Sequence, residues 1–294
     1  MRLSIVFIGG KPNGKIVLEY LLKNKYVEIP FVITYPEDYD TPRNIRLNKD
    51  KRFKTICESD ANKLTAEIKE AKPDFIFVAG WSGLLSEELI KIPTKGTVGF
   101  HPSKLPSDRG RSVLAWQIEE GYRDSALTMF YYNEFPDCGD IIAQEMFKIS
   151  YNDYVSDIMN KVDNATYNLM RAYFPLLRQG IAPRKPQDMN EGNFRRLRND
   201  RDSLINWDSN TEEIYNKIRA ISKPYPGAFF IYENTKVKVW ESDIISDLCI
   251  ESLSQNLKPG KVISRLYDNS YLIKCRDGIL KIYIDEDIKP GNEL

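Results

Sequence analysis

The sequence predicts an α/β fold, a doubly wound and mostly parallel sheet, followed by a smaller β-rich domain. Three observations predict it. Through residue 180, apolar runs of strand length alternate with stretches of helical periodicity. From Gly180 the composition shifts to proline, glycine and charge (GIAPRKPQDMNEGNFRRLRND), which reads as a linker over residues 181–203. Beyond it the apolar runs are short and separated by turn residues, the pattern of a small barrel. The expected division is a catalytic domain over 1–180, the linker, and a β-rich domain over 204–294.

RLSIVFI reads as a buried first strand, followed by a Gly-Gly-Lys-Pro-Asn-Gly turn and the helix KIVLEYLLKN. Backbone N–H groups at such a turn can face an anion, which makes Gly9, Gly10, Lys11 and Asn13 candidates for substrate contact. A plain tight turn accounts for the same residues, and the spacing is neither GxGxxG nor a P-loop. EIPFVITY is the next strand. The loop after it is acidic first (Glu37, Asp38, Asp40) and basic later (Arg43, Arg46, Lys49, Lys51, Arg52, Lys54), as expected of a solvated segment. A helical pattern over 61–71 precedes the strand DFIFVA. Gly80-Trp81-Ser82-Gly83-Leu84-Leu85 then forms a loop, with Ser86 as N-cap of the helix SEELIKI. Trp81 at a strand's carboxyl end suits either a pocket for a flat ring or a core plug.

TVGF is the next buried strand, and it ends on His101, the one histidine of the chain. A step needing an imidazole near neutral pH must use this residue, at the strand end where open α/β sheets place ligands. Asp137 lies 36 residues further on, in a Pro-Asp-Cys-Gly-Asp turn after the strand-like ALTMFYYNE. The two could handle protons on either side of one reacting carbon, although a hydrogen-bonded histidine and an ordinary turn aspartate fit the same pattern. A long amphipathic helix follows from Val155, with Asn152 or Asp153 as its cap and a core-facing stripe that includes Ile158, Val162, Leu169 and Ala172.

Composition narrows the function classes. Lys plus Arg equals Asp plus Glu at 42 each, so the formal charge is zero and a broad nucleic-acid surface is disfavoured. Cys57, Cys138, Cys249 and Cys275 are widely spaced without a CxxC, and one histidine cannot build an imidazole cage, so no metal site is expected. No apolar run approaches the ~18 residues of a membrane span, and the first residues do not read as a signal peptide. The expected setting is the cytoplasm, with reduced thiols and no membrane partner.

HPSKLPSDRG resembles the H-P-S-x-L-P-x-x-R-G signature of the formyltransferases that use 10-formyltetrahydrofolate, and DCGDII resembles their D-x-G-D-I turn. NFRRLRNDRDSLINW, IRAISKPYPGAFF and KVKVW are similar to the tail shared by methionyl-tRNA formyltransferase and the sugar-nucleotide formyltransferases. The resemblance covers nearly the full chain. It implies a Rossmann-like formyltransferase core, an OB-like C-terminal domain and formyl transfer from 10-formyltetrahydrofolate to a primary amine, and it is compatible with a homodimer. His101 would donate to the oxyanion of the tetrahedral intermediate, and Asp137 would orient the imidazole or relay the proton lost by the amine. Trp81, Ser82, Gly83, Leu84, Asp137, Cys138, Gly139 and Asp140 would hold the folate.

The chain departs from the family at one place: Gly99 stands where an asparagine normally lies two residues before the histidine. Another donor (Ser103 is nearest in sequence), a water, or weak or altered activity would each account for it. RGRSVLAW resembles the sugar-nucleotide enzymes more than the tRNA enzyme, which usually has tyrosine where this chain has Asp108. Ser103, Lys104, Arg109 and Arg111 are candidates for a nucleotide diphosphate, with solvation and packing as rival roles for each cation. The expected acceptor is a nucleotide-linked amino sugar of surface-polysaccharide (lipopolysaccharide O-antigen) synthesis. Methionyl-tRNA formylation and a folate-binding homologue with impaired catalysis are the alternatives.

Overall fold

A computed structural model describes residues 2–39, 43–45, 47 and 51–294. Asp40, Arg46 and Lys49 of the charged loop lie outside the described residues. The chain divides into two compact units, Met1–Val113 with Asp124–Lys148 and Met159–Arg195, and Leu114–Arg123 with Ile149–Ile158 and Arg196–Leu294. Residues 181–195, read from composition as part of a linker, thus belong to the first unit. Within them, Phe194 and Arg195 pair in parallel with Arg109 and Gly110 of the motif loop.

The first unit opens with β1 (Leu3–Gly9), α1 (Pro12–Leu22), β2 (Val27–Glu28), β3 (Val32–Thr34) and β4 (Thr55–Cys57). A 3₁₀ turn, Ala61–Leu64, is capped by Asp60 and runs into α2 (Thr65–Ala71). β5 (Phe75–Ala79) and α3 (Glu87–Ile90) follow, and the Ser86 hydroxyl accepts from Leu89 N–H as expected of the N-cap. Next in chain order come β6 (Gly96–His101), β7 (Arg109–Gly110), α4 (Val113–Glu119), which from Leu114 belongs to the second unit, β8 (Asp124–Tyr131), β9 (Ile141–Lys148), α5 (Val155–Gln179), which joins the first unit from Met159, and β10 (Phe194–Arg195).

The main sheet runs β4-β3-β1-β5-β6-β8-β9, with β2 beside β1. Pairings from β4 to β6 are parallel, and those of β6 with β8 and β8 with β9 are antiparallel, so the sheet is mostly parallel as the alternation of patterns predicts. Strand alternation sends Val6, Ile8, Ile76 and Val78 to one face, where Ile68 of α2 and Leu89 of α3 cover them. Phe77 points to the other, against Phe174 of α5, which also meets Tyr20 of α1. Helices on both faces explain why these strands read as continuous apolar runs. No helix among the described residues is long and apolar enough to cross a membrane.

The start of α5 differs from expectation. Asp153 accepts from Ser150 N–H within the preceding turn, and Asp157, in the first turn, accepts from Tyr154 N–H. The terminus is thus served from inside the helix rather than by Asn152 or Asp153.

The second unit contains α6 (Asp200–Ser203), α7 (Thr211–Ile221), β11 (Ala228–Tyr232), β12 (Thr235–Val239), β13 (Glu241–Ile245), α8 (Leu248–Ser254), β14 (Val262–Arg265), β15 (Tyr271–Lys274) and β16 (Ile279–Tyr283). Its strands are antiparallel, in a β11-β12 hairpin and a four-stranded sheet β13-β16-β15-β14. Glu233 and Asn234, both at positive φ, make the hairpin turn.

Candidate active site

β6 delivers His101 to the sheet's carboxyl edge, where Pro102 ends the strand. His101 Nε2 lies 2.7 Å from the backbone oxygen of Asp108, and Nδ1 lies 3.5 Å from Asp137 Oδ1. A carbonyl accepts only, so Nε2 carries hydrogen. Nδ1 and the carboxylate oxygen would then present two lone pairs to each other unless a proton lies between them. Nδ1 is thus the ring nitrogen that faces the carboxylate, at a separation that brings the two side chains to one place without a direct hydrogen bond.

Asp137 is fixed from the other side by Gly110 N–H, 2.9 Å from Oδ2. Its φ of 58° lies in the left-handed region that aspartate tolerates better than most residues. Gly139 is required by close approach, because a Cβ there would stand 1.8 Å from the Tyr131 carbonyl oxygen. The turn thus carries its motif glycine for packing and presents its aspartate to His101 and to the Gly110 N–H. His101 is buried, and Asp137 keeps 19 % of its side chain exposed, so the pair meets solvent through the carboxylate.

Residues that sequence reasoning assigned elsewhere hold this pair. Asp108, itself buried and at positive φ, accepts from Arg195 Nε at 2.6 Å and from Asn193 Nδ2 at 3.1 Å, while its N–H donates to Asn193 Oδ1. Gln187 donates to the carbonyls of Asp137 and Gly139. The signal for these partners was present in the polar composition of residues 181–195, but neither their sequence distance nor their composition says which loop they meet.

Two residues expected to contact substrate are engaged within the protein. Arg109 is buried, and its guanidinium is spent on Gln187 Oε1 and on the Glu191 and Asp188 carbonyls, with Phe194 stacked against it. Ser103 is buried and donates to the Ser107 carbonyl, so it staples the loop and does not replace the missing asparagine. Gly9 and Gly10 are likewise set by packing. A Cβ on Gly9 would meet the Ala79 oxygen at 2.0 Å, one on Gly10 the Tyr35 ring at 2.6 Å, and Gly10 N–H already donates to the Gly80 carbonyl.

Lys11, Trp81, Ser82 and Arg111 do come together, around Tyr35. Lys11 Nζ donates to Ser82 Oγ at 2.9 Å, and Ser82 N–H donates to the Tyr35 hydroxyl. Tyr35 is stacked between Trp81, at 4.2 Å between ring centroids, and Tyr39, at 4.5 Å. Burial, and then the nearby Arg111 charge, lower the Lys11 ammonium below its usual range. Neither cation meets a carboxylate among the described residues. Trp81 Nε1 is buried without a partner among the described residues, close to where a Gly83 side chain would begin. The Trp81 ring packs on Tyr35 and against the core of the sheet, and its donor has no partner among the described residues.

The remaining candidates are spread out. Asn13 lies beside Gly80, and Leu84 and Lys104 are exposed. Cys138 is buried, with its thiol on the Pro136 carbonyl, and Asp140 faces Arg184 at 4.0 Å. Among the described residues no group of histidine, cysteine and carboxylates could hold a metal ion.

Comparison with known proteins gives consistent matches. The formyl transferase family model matches residues 1–173, and the model of the formyl transferase C-terminal domain matches residues 199–290. Among solved structures, an N-formyltransferase from Helicobacter canadensis in complex with folinic acid and dTDP-3-aminofucose has a TM-score of 0.71 at 20 % identity, covering 97 % of this chain and 100 % of that one. WlaRD, a sugar 3N-formyl transferase determined with dTDP and 5-N-formyl-THF, has a TM-score of 0.70 at 17 % identity, covering 98 % and 100 %. HypX from Aquifex aeolicus, in complex with tetrahydrofolic acid, has a TM-score of 0.70 at 22 % identity, covering 100 % of this chain and 46 % of its own. The chain thus spans about half the length of HypX.

Proposed function

Since the chain belongs to the formyl transferase family, we propose that it moves a formyl group from 10-formyltetrahydrofolate to the primary amine of a nucleotide-linked amino sugar. The observation that carries this reading is the approach of His101 Nδ1 to the Asp137 carboxylate, 3.5 Å apart at the sheet's carboxyl edge.

In this reading the neutral amine attacks the formyl carbon, forming a C–N bond and placing the carbonyl pair on oxygen. Collapse restores C=O and breaks the bond to N10 of the folate. The proton lost by the amine passes by way of the Asp137 carboxylate, which His101 Nδ1 faces, to N10, giving a formamide and tetrahydrofolate. Moving that proton within a positioned pair is worth roughly a factor of a hundred or more in rate. The open Trp81 Nε1 donor and the backbone of the 137–140 turn suit the folate's polar ring. Lys11 and Arg111, two cations without a carboxylate between them, suit a diphosphate, because paired positive charge in a partly dry site is relieved by an anion. The soluble setting and the absence of a membrane partner are part of the same proposal.

The test is direct. Purified protein is given 10-formyltetrahydrofolate with dTDP-linked 3-amino and 4-amino sugars or with methionyl-tRNA, and the gain of one formyl mass on the acceptor is followed by mass spectrometry. Formylation of an amino-sugar nucleotide is expected. Formylation of the tRNA alone would replace this acceptor class, and folate binding with no formylated product would leave a binding protein.

A further inference from the structure

Gly99 leaves no vacancy beside His101. Positions 99 and 101 lie on the same face of β6, and a Cβ built on Gly99 would stand 2.1 Å from Cε1 of Tyr132, 2.9 Å from Cζ and 3.0 Å from its hydroxyl oxygen. A side chain at 99 and this tyrosine ring exclude each other. Tyr132 follows β8 directly, and its N–H is tied to the Thr97 carbonyl at 2.8 Å, so the chain cannot swing away there. The ring is stacked on Phe130, the residue paired with Gly99 across the sheet. Its hydroxyl therefore stands where the tip of a short side chain on residue 99 would reach. That hydroxyl takes no hydrogen bond among the described residues, and it interacts electrostatically with Asp137 and Tyr35.

We propose that Tyr132 replaces the absent amide donor at position 99, and that its phenol O–H donates to the formyl oxygen as negative charge builds there during transfer. The inference rests on the formyl-transfer reading above. Burial, with the Asp137 charge adding to it, holds the phenol well above its ordinary range, so Tyr132 keeps its proton and acts as a hydrogen-bond donor only. The proton movements of the reaction stay with His101 and Asp137. Tyr132 and Gly99 thus form one device, in which deleting a side chain on one strand admits a longer donor from the neighbouring strand.

The experiment uses Tyr132→Phe, which keeps the stacked ring, and reads two quantities. With the acceptor amine, kcat is expected to fall ~10²–10³-fold while KM for the formyl donor changes less than about threefold, the signature of an oxyanion donor. With a stable 10-formyl folate analogue carrying carbon-13 at the formyl carbon, the infrared C=O band of the bound ligand is expected to lie lower in wild type than in Tyr132→Phe. A kcat within about twofold of wild type, or the same band in both proteins, overturns the proposal while formyl transfer stands. No binding of the analogue by wild-type protein overturns the transfer reading and this inference with it. As a second variant, Gly99→Asn/Tyr132→Ala is expected to regain at least ~10-fold in kcat over Tyr132→Ala, because the amide again has room. A folded double variant with no recovery also counts against the proposal.

Discussion

Arg195 Nε stands 2.6 Å from Asp108 Oδ1, and the backbone oxygen of that same aspartate receives Nε2 of His101. One buried ion pair thus sets the loop that fixes the tautomer of the chain's single imidazole. Asp108 keeps 1 % of its side chain exposed and Arg195 keeps 18 %, so this pair is not a solvent-screened surface contact.

Removing Arg195 leaves a buried carboxylate without this counter-charge. Arg195→Ala is expected to cost about 3–5 kcal/mol, read as a lower urea midpoint with unchanged m-value. Asp108→Asn keeps an acceptor for the guanidinium and for Asn193, and is expected to cost less. A stability loss for Arg195→Ala no larger than that of an exposed arginine would remove the pair from the architecture of the site.

Asp137 admits a sharper separation of chemistry from packing. Asp137→Asn retains an acceptor for Gly110 N–H and presents an amide N–H to His101 Nδ1, so the loop stays satisfied. The carboxylate that would take up the amine's proton is lost. Thermal stability close to wild type, with kcat down by ~10² or more, is the expected outcome. Asp137→Ala adds an unpaired Gly110 N–H and is expected to lose stability as well, by ~1–3 kcal/mol. Normal turnover in Asp137→Asn would take proton relay away from this residue.

The strands and both faces of the sheet were legible because each rests on local pattern, apolar runs and helical spacing, whereas His101 and Asp137 were singled out as a pair by the resemblance of HPSKLPSDRG and DCGDII to a known family. Asp108, Gln187, Asn193 and Arg195 were not legible as partners, since ion pairing between segments some 80 residues apart leaves no periodic trace. Arg109 shows the same limit in reverse. Its type suits phosphate, and only the path of residues 187–194 turns it into a buried clamp. Gly99 was visible as a departure, but its meaning lay in Tyr132, one strand away.

Lys11 should couple substrate affinity to pH. Burial and Arg111 lower its ammonium below the usual range, so the cation is lost earlier than for an ordinary lysine as the pH rises. Affinity for the nucleotide diphosphate is therefore expected to weaken on the alkaline side, and Lys11→Met to raise the dissociation constant about tenfold at neutral pH. Lys11→Arg, which stays charged, should flatten the alkaline decline. Titration calorimetry with the free nucleotide diphosphate over a pH series reads all three. A pH-independent affinity in wild type would place the diphosphate elsewhere.

The four thiols should divide by burial. Cys57 and Cys249 are exposed, whereas Cys138 and Cys275 are buried. Reaction needs thiolate and access together. Burial pushes the Cys275 thiol from its ordinary 9.0 up to about 12, and Cys138 is raised by burial with Asp137 adding to it. A chromogenic disulfide reagent near pH 8 is expected to titrate two thiols in the native protein and four in denaturant. The same shift gives a linkage. Between pH ~9 and ~12 the unfolded chain releases a proton from Cys275 that the folded chain retains, so this contribution to stability is complete below pH ~9 and is lost as the pH climbs. Cys275→Ala should therefore flatten the alkaline fall in urea midpoint. Rapid labelling of Cys275 in the native state, or an alkaline limb identical in the variant, would contradict the burial assigned to it.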